Sequence, residues 1–231
     1  MVDQTGIVLM PGIDGTGTFF EPLINVLPPG ILVTAITYPP GAVLSLEEHA
    51  RFVAENLPAD NVVIVAESFS GLVGLALLHQ RLPAVKGAVF SAAFAGPLHR
   101  CLIHALSLVP SIESLVRKLP VPLLEHYLFG PFSNRELKTL LVRGLAEIDG
   151  KSLKQRARLT ASGYPHLDER FALPCLYLEA TRDRVVPPEA VSWFAGHFSH
   201  FQHEKFDAPH CLLQTKPAEC SVKIIEFMKA L

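Results

Sequence analysis

NVVIVAESFSG, residues 61–71, is the stretch from which the rest of the chain can be read. Its first six residues form a near-continuous apolar run, the composition of a strand buried on both faces of a parallel sheet. The Leu-, Ala- and Gly-rich stretch 69–82 that follows has the composition of a helix. Ser68 therefore falls where a strand turns into a helix. A sharp turn of that kind lifts a serine hydroxyl above the sheet edge, beside a helix N-terminus. The turn needs small residues two places to either side, and Ala66 and Ser70 supply them where glycines are more usual. Ser70 is a poorer candidate, because Leu72 stands two places beyond it. Taken alone, Ser68 is equally well explained as a helix N-cap.

The same alternation extends outward. Upstream, 6–10 (GIVLM) and 31–38 (ILVTAITY) read as strands, ended by Pro11-Gly12 and by Pro39-Pro40-Gly41. Ser45-Leu46-Glu47-Glu48 is a capping box that opens a helix through about Leu57. Downstream, 86–91 (KGAVFS) gives a fourth strand. From Phe94 to Tyr164 the pattern is helical, broken by Pro97, Pro110, Pro120, Pro122 and Pro131, with no strand signal. Strand and helix then alternate again: 174–180, 188–197, 201–206 and 217–231. Such alternation predicts an α/β fold, with a mostly parallel sheet and right-handed crossovers. Residues 1–94 and 166–231 form its core, and 95–165 a helical insertion in one connection.

A reactive serine needs a base and an acid to orient that base. In this template the chain order is serine, acid, histidine, each just past a strand. Asp183 follows the strand 174–180, ahead of Pro187-Pro188, and His210 follows 201–206. Separately, Asp183 is an ordinary polar-turn residue and His210 one of ten histidines. Together they sit in order at the strand ends where open α/β sheets build their sites. The acyl chemistry also needs two N–H groups aimed at the developing oxyanion. Phe69, next to Ser68, supplies one. The loop MPGIDGTG, residues 10–17, supplies the other, at Ile13. The competing reading of that loop, a phosphate cradle, lacks the lysine or the final glycine it requires.

The bulk numbers narrow the field. The 231 residues are 49% hydrophobic and 18% charged, with net charge −2. That balance gives no basic footprint for a nucleic acid. The few basic clusters, such as 151–158 (KSLKQRAR), are short, and that one reads as a solvated helix face. Cysteines at 101, 175, 211 and 220 form no CxxC pair, so neither a metal site nor a redox motif is expected. Cys175 and Cys211 lie in apolar runs and read as buried thiols. The first residues lack the basic and apolar regions of a signal peptide. No apolar run reaches the ~18 residues of a membrane span. The expected setting is the reducing cytoplasm. No cofactor is required.

These motifs resemble those of the α/β-hydrolase superfamily over nearly the whole chain. The similarity is to compact bacterial hydrolases with a PG-x-DGTG loop, an ESFSG elbow, a D-x-x-VP acid loop and a PH-x-LLQ-x-P histidine loop. In this sequence the motifs occupy 11–17, 67–71, 183–187 and 209–217. The resemblance implies Ser68 as nucleophile, Asp183 as acid, His210 as base, Ile13 and Phe69 as oxyanion donors, and 95–165 as a cap. The chain opens at what would be the family's third strand, so about six strands are expected. The implied activity is cleavage of an acyl ester or thioester through an acyl-enzyme. An acyltransferase with the same triad is an alternative, and a non-catalytic binding protein on the same fold a more remote one. The cap is rich in Leu, with Phe94, Tyr127, Phe129 and Phe132 among them. An apolar acyl pocket, and a small apolar acyl substrate, are expected.

Overall fold

The computed structural model describes residues 5–58, 60–98 and 120–231. Among the described residues there are six strands: β1 (Gly6–Met10), β2 (Val33–Ala35), β3 (Val62–Glu67), β4 (Val85–Ser91), β5 (Cys175–Ala180) and β6 (Phe201–Phe206). They form one sheet in the order β2-β1-β3-β4-β5-β6, and every pairing is parallel. β1 pairs with β2 on one side and β3 on the other, so the winding direction reverses between β1 and β3. A crevice opens at such a reversal, beyond the carboxyl ends of the two strands. The loop after Met10 and the turn after Glu67 both emerge there.

Period-two alternation divides the core into two layers. Val8, Met10, Val62, Ile64 and Ala66 face one side; Ile7, Leu9, Val63 and Val65 face the other. All are fully buried, which accounts for the continuous apolar runs in β1 and β3. On the first side pack α2 (Leu46–Glu55), α3 (Ser70–His79) and α7 (Ala190–His197). On the other pack α1 (Glu21–Ile24), the short α8 (Leu212–Thr215) and α9 (Pro217–Lys229). The predicted capping box opens α2. Ser45 Oγ accepts from Glu48 N–H at 3.2 Å, and Glu48 Oε2 accepts from Ser45 N–H at 2.7 Å. β2 is shorter than the apolar run 31–38. Its ladder continues only to Ile36 N–H, which donates to Leu9 O, before the two prolines intervene.

Between β4 and β5 lie α4 (Val121–Leu128), α5 (Arg135–Glu147) and α6 (Gly150–Ser162). Asn134 caps α5 and Asp149 caps α6 through side-chain acceptors. Phe129, Leu137, Leu140 and Leu141 pack with Phe19 and Cys211 in a separate apolar cluster that joins these helices to the segments following β1 and β6. Pro110 and Cys101 lie outside the described residues. Cys175, Cys211 and Cys220 are buried and unpaired. The solvated-face expectation for 151–158 is corrected in part: Ser152, Leu153, Arg156 and Ala157 are all buried. α6 lies against the loop that follows β1, so one face of this basic segment is interior. No helix among the described residues is long and apolar enough to cross a membrane.

Candidate active site

Ser68 follows β3 with φ of +50°, the left-handed region that a side chain rarely adopts. Two hydrogen bonds hold it there. Its N–H donates to Ser91 O at 3.0 Å, and its carbonyl accepts from Gly71 N–H at 2.9 Å. Gly71 is needed for close approach, because a Cβ there would lie 2.8 Å from the Cβ of Ala93. The turn thus starts α3 directly beneath the serine. Ser70 is committed elsewhere. Its hydroxyl donates to the carbonyl of Pro11 and accepts from Tyr38 Oη at 2.6 Å. That bond ties the elbow to the loop after β1.

His210 stands on the segment after β6, which Arg182 N–H anchors through Ala208 O at 3.0 Å. The ring bridges the other two residues of the expected triad: Nδ1 lies 2.8 Å from Asp183 Oδ2, and Nε2 lies 2.9 Å from Ser68 Oγ. An ionised carboxylate only accepts, so Nδ1 carries the proton and Nε2 is left to accept from the serine. The other oxygen of Asp183 accepts from the N–H groups of Val185 at 2.7 Å and Val186 at 3.0 Å. Three residues from distant parts of the sequence are therefore joined in one chain of hydrogen bonds. Ser68 is 9% exposed and His210 7%, so little solvent reaches the chain.

Burial favours the neutral form of His210. The charge of Asp183, its hydrogen bond and the nearby Glu67 outweigh this, and the net effect holds the imidazole above its usual pKa. Glu67 is itself buried, and desolvation pushes its carboxyl up to about 7, against the opposing pull of His210. Gln214 Nε2 donates to Glu67 Oε2 at 3.2 Å. In the sequence both appear only as members of motifs, Glu67 in 67–71 and Gln214 in 209–217, with no role of their own.

The chain of hydrogen bonds opens on a cavity of about 300 Å³. Leu124, Leu128, Leu141, Leu145, Ile148 and Leu153 contribute most of its apolar wall, and Ser68 and His210 stand at one side. None of the four aromatics noted in the sequence lines it. Phe94 belongs to the sheet core, and Phe129 is fully buried behind the leucines. Tyr127 is 47% exposed, and Phe132 sits under the cations of Arg182 and Lys216. Gly12 and Ile13 line the cavity near Ser68. No hydrogen bond among the described residues uses the N–H of Ile13 or of Phe69. Among the described residues no cluster of three or more His, Cys, Asp and Glu side chains is arranged to hold a metal ion.

No protein-family model matches the chain, and no curated protein resembles it in sequence. Solved structures do resemble it in shape. A hydrolase from Oleispira antarctica is 19% identical with a TM-score of 0.78, covering 97% of this chain and 91% of its own. An esterase from Exiguobacterium antarcticum is 14% identical with a TM-score of 0.80, covering 97% and 92%. The enol-lactonase from Burkholderia xenovorans LB400 is 14% identical with a TM-score of 0.78, covering 97% and 91%. With six parallel strands, flanking helices and these neighbours, the chain has the α/β-hydrolase fold.

Proposed function

We propose that the protein is a serine hydrolase that cleaves small apolar acyl esters or thioesters through an acyl-enzyme. The observation that carries this reading is the unbroken chain Ser68–His210–Asp183, at 2.9 and 2.8 Å, beside an apolar cavity. Similarity in fold to esterases and a lactonase agrees with it.

In the proposed reaction, His210 Nε2 takes the proton of Ser68 as Oγ bonds to the acyl carbon. The carbonyl π electrons move to oxygen, and the N–H groups of Ile13 and Phe69 receive the oxyanion. Collapse expels the alcohol or thiol, which takes the proton from His210. Water then attacks the acyl-enzyme in the same way and frees the acid and Ser68. Asp183 keeps the ring in the tautomer this requires and stabilises the imidazolium. Of the expected cap 95–165, residues 99–119 lie outside the described residues; in the proposed reaction the leucines of α4, α5 and α6 hold the acyl chain. Three buried, unpaired thiols suit a reducing cytoplasmic setting.

A fluorophosphonate probe tests the assignment. The adduct is expected on Ser68, and Ser68→Ala should lower ester turnover on the order of 10⁶-fold while keeping the fold. An adduct on Ser70, or a tenth of the activity left in Ser68→Ala, would remove Ser68 from the role.

A further inference from the structure

Arg156 is 3% exposed on α6, yet no carboxylate lies within ion-pair distance of it among the described residues. A buried cation needs compensation. Here most of it comes from the backbone of the loop after β1. Nε donates to Ile13 O at 2.7 Å, and a terminal nitrogen of the guanidinium donates to Asp14 O at 2.8 Å. The carboxyl of Asp14 adds attraction through space while itself accepting from Thr16 N–H and Oγ1 at 2.8 and 2.9 Å.

The carbonyls of residues 11–15 in this loop are all accounted for. Pro11 O accepts from Ser70, Gly12 O from Gly15 N–H, and Gly15 O from Tyr38 N–H. Those three bonds come from the sheet side or from the loop itself. The two between them, at Ile13 and Asp14, depend on Arg156. The loop is also shaped to receive it. Gly15 has φ of +77°, and a Cβ there would lie 2.6 Å from the guanidinium. Residue 13 is thus oriented by α6, a helix 143 residues further along the chain.

We propose that Arg156 is a positioning residue for the acyl reaction. By bonding the carbonyls of Ile13 and Asp14 it fixes the loop on the far side of the peptide whose Gly12 oxygen Gly15 N–H already holds, so that the N–H of Ile13, on that peptide, stays directed at the developing oxyanion. The inference rests on Ser68 as nucleophile and Ile13 as an oxyanion donor. It adds that the oxyanion hole is completed by the helical segment and not by the sheet alone. The planar fork is what the site uses, because two adjacent carbonyls are bonded by two nitrogens of one rigid group. Lysine offers a point charge in its place.

The test compares Arg156→Met, Arg156→Lys and Arg156→Ala with the parent chain. Fluorophosphonate labelling at Ser68 in the parent checks the underlying reading by itself, so its failure is separable from failure of the Arg156 proposal. Loss of an oxyanion donor costs about 10²–10³ in kcat, so a misdirected one should cost roughly 10–100-fold. Arg156→Met should therefore lose that factor in kcat with KM within about twofold. Affinity for an alkyl trifluoromethyl ketone, which forms the tetrahedral adduct, should fall in parallel, while affinity for the matching carboxylate product holds. Arg156→Lys should recover part of the loss. Methylguanidinium added to Arg156→Ala should restore turnover, a result that a tether serving only stability would not give. A folded Arg156→Met with unchanged kcat would overturn the proposal. So would equal losses in ketone and product affinity. If Arg156→Met does not fold, Arg156→Lys with parent-like kcat and ketone affinity would overturn it instead.

Discussion

His210 is the group whose ionisation the rate should follow. Only its neutral form accepts the serine proton, so kcat/KM should rise with pH through the histidine's pKa. Asp183 and Glu67 hold that pKa up against burial, so the midpoint should lie above the ordinary 6.5. Glu67 lends its part of that support once it ionises, around and above pH 7, so Glu67→Gln should move the midpoint down. A pH–rate profile of both proteins checks the sign; an upward move would mean that Glu67 does not face the imidazole as a carboxylate. The same variant has a stability signature. Glu67 keeps its proton to about pH 7 in the fold but loses it near 4.5 when unfolded. As pH rises through that window the unfolded chain gains by ionising, and the folded chain loses on the order of 3 kcal/mol. Glu67→Gln escapes this loss, so its Tm advantage should be larger at pH 8 than at pH 4.5. Asp183→Asn should lower kcat roughly 10⁴-fold by disturbing the tautomer of His210, with KM little changed; steady-state kinetics would show it. Ser68, Asp183 and His210 were legible in the sequence because strand-end positions are marked by apolar runs on one side and turn residues on the other. Arg156 was not. Its neighbours Lys151, Lys154 and Arg158 have the composition of an exposed helix, and only the packing of that helix reveals one interior cation.

Elements with a strong period were equally plain. β1, β3 and β6 lie within a residue of their apolar or alternating runs, whereas β2 is shorter than its run, because by Tyr38 the chain has left the ladder and donates its N–H to Gly15 O in the loop after β1. The helices between β4 and β5 were visible only as helical composition, because their apolar residues serve two neighbours at once, the sheet and the cavity. α5 illustrates this at Gly144. A Cβ there would lie 2.3 Å from the ring of Phe19, which also lines the cavity. Gly144→Ala gains about 1 kcal/mol of helix propensity. It must also displace a buried ring, which costs about 1–3 kcal/mol. We expect a net loss of stability by thermal denaturation. We also expect a shift of the preferred ester toward shorter acyl chains, as Phe19 is pressed into the pocket. An unchanged chain-length profile would show that Phe19 moves elsewhere.

For the molecule as a whole, the leucine-lined cavity should govern substrate choice. Each buried methylene is worth about 0.8 kcal/mol, or roughly fourfold in kcat/KM. An acetyl-to-octanoyl ester series should climb by up to that factor and then level or fall as the 300 Å³ fill. A flat series, or faster turnover of dicarboxylate monoesters, would contradict an apolar pocket. The wiring of the site also has a kinetic consequence. Ser68 meets His210 across 142 positions, and Ile13 meets Arg156 across 143. Parallel pairing between distant strands is slow to nucleate, because loop closure precedes any compensating contact. On refolding from denaturant, far-UV ellipticity should therefore recover before the chain reacts with a fluorophosphonate. The interval between the two signals would time the moment at which remote parts of the polypeptide first meet.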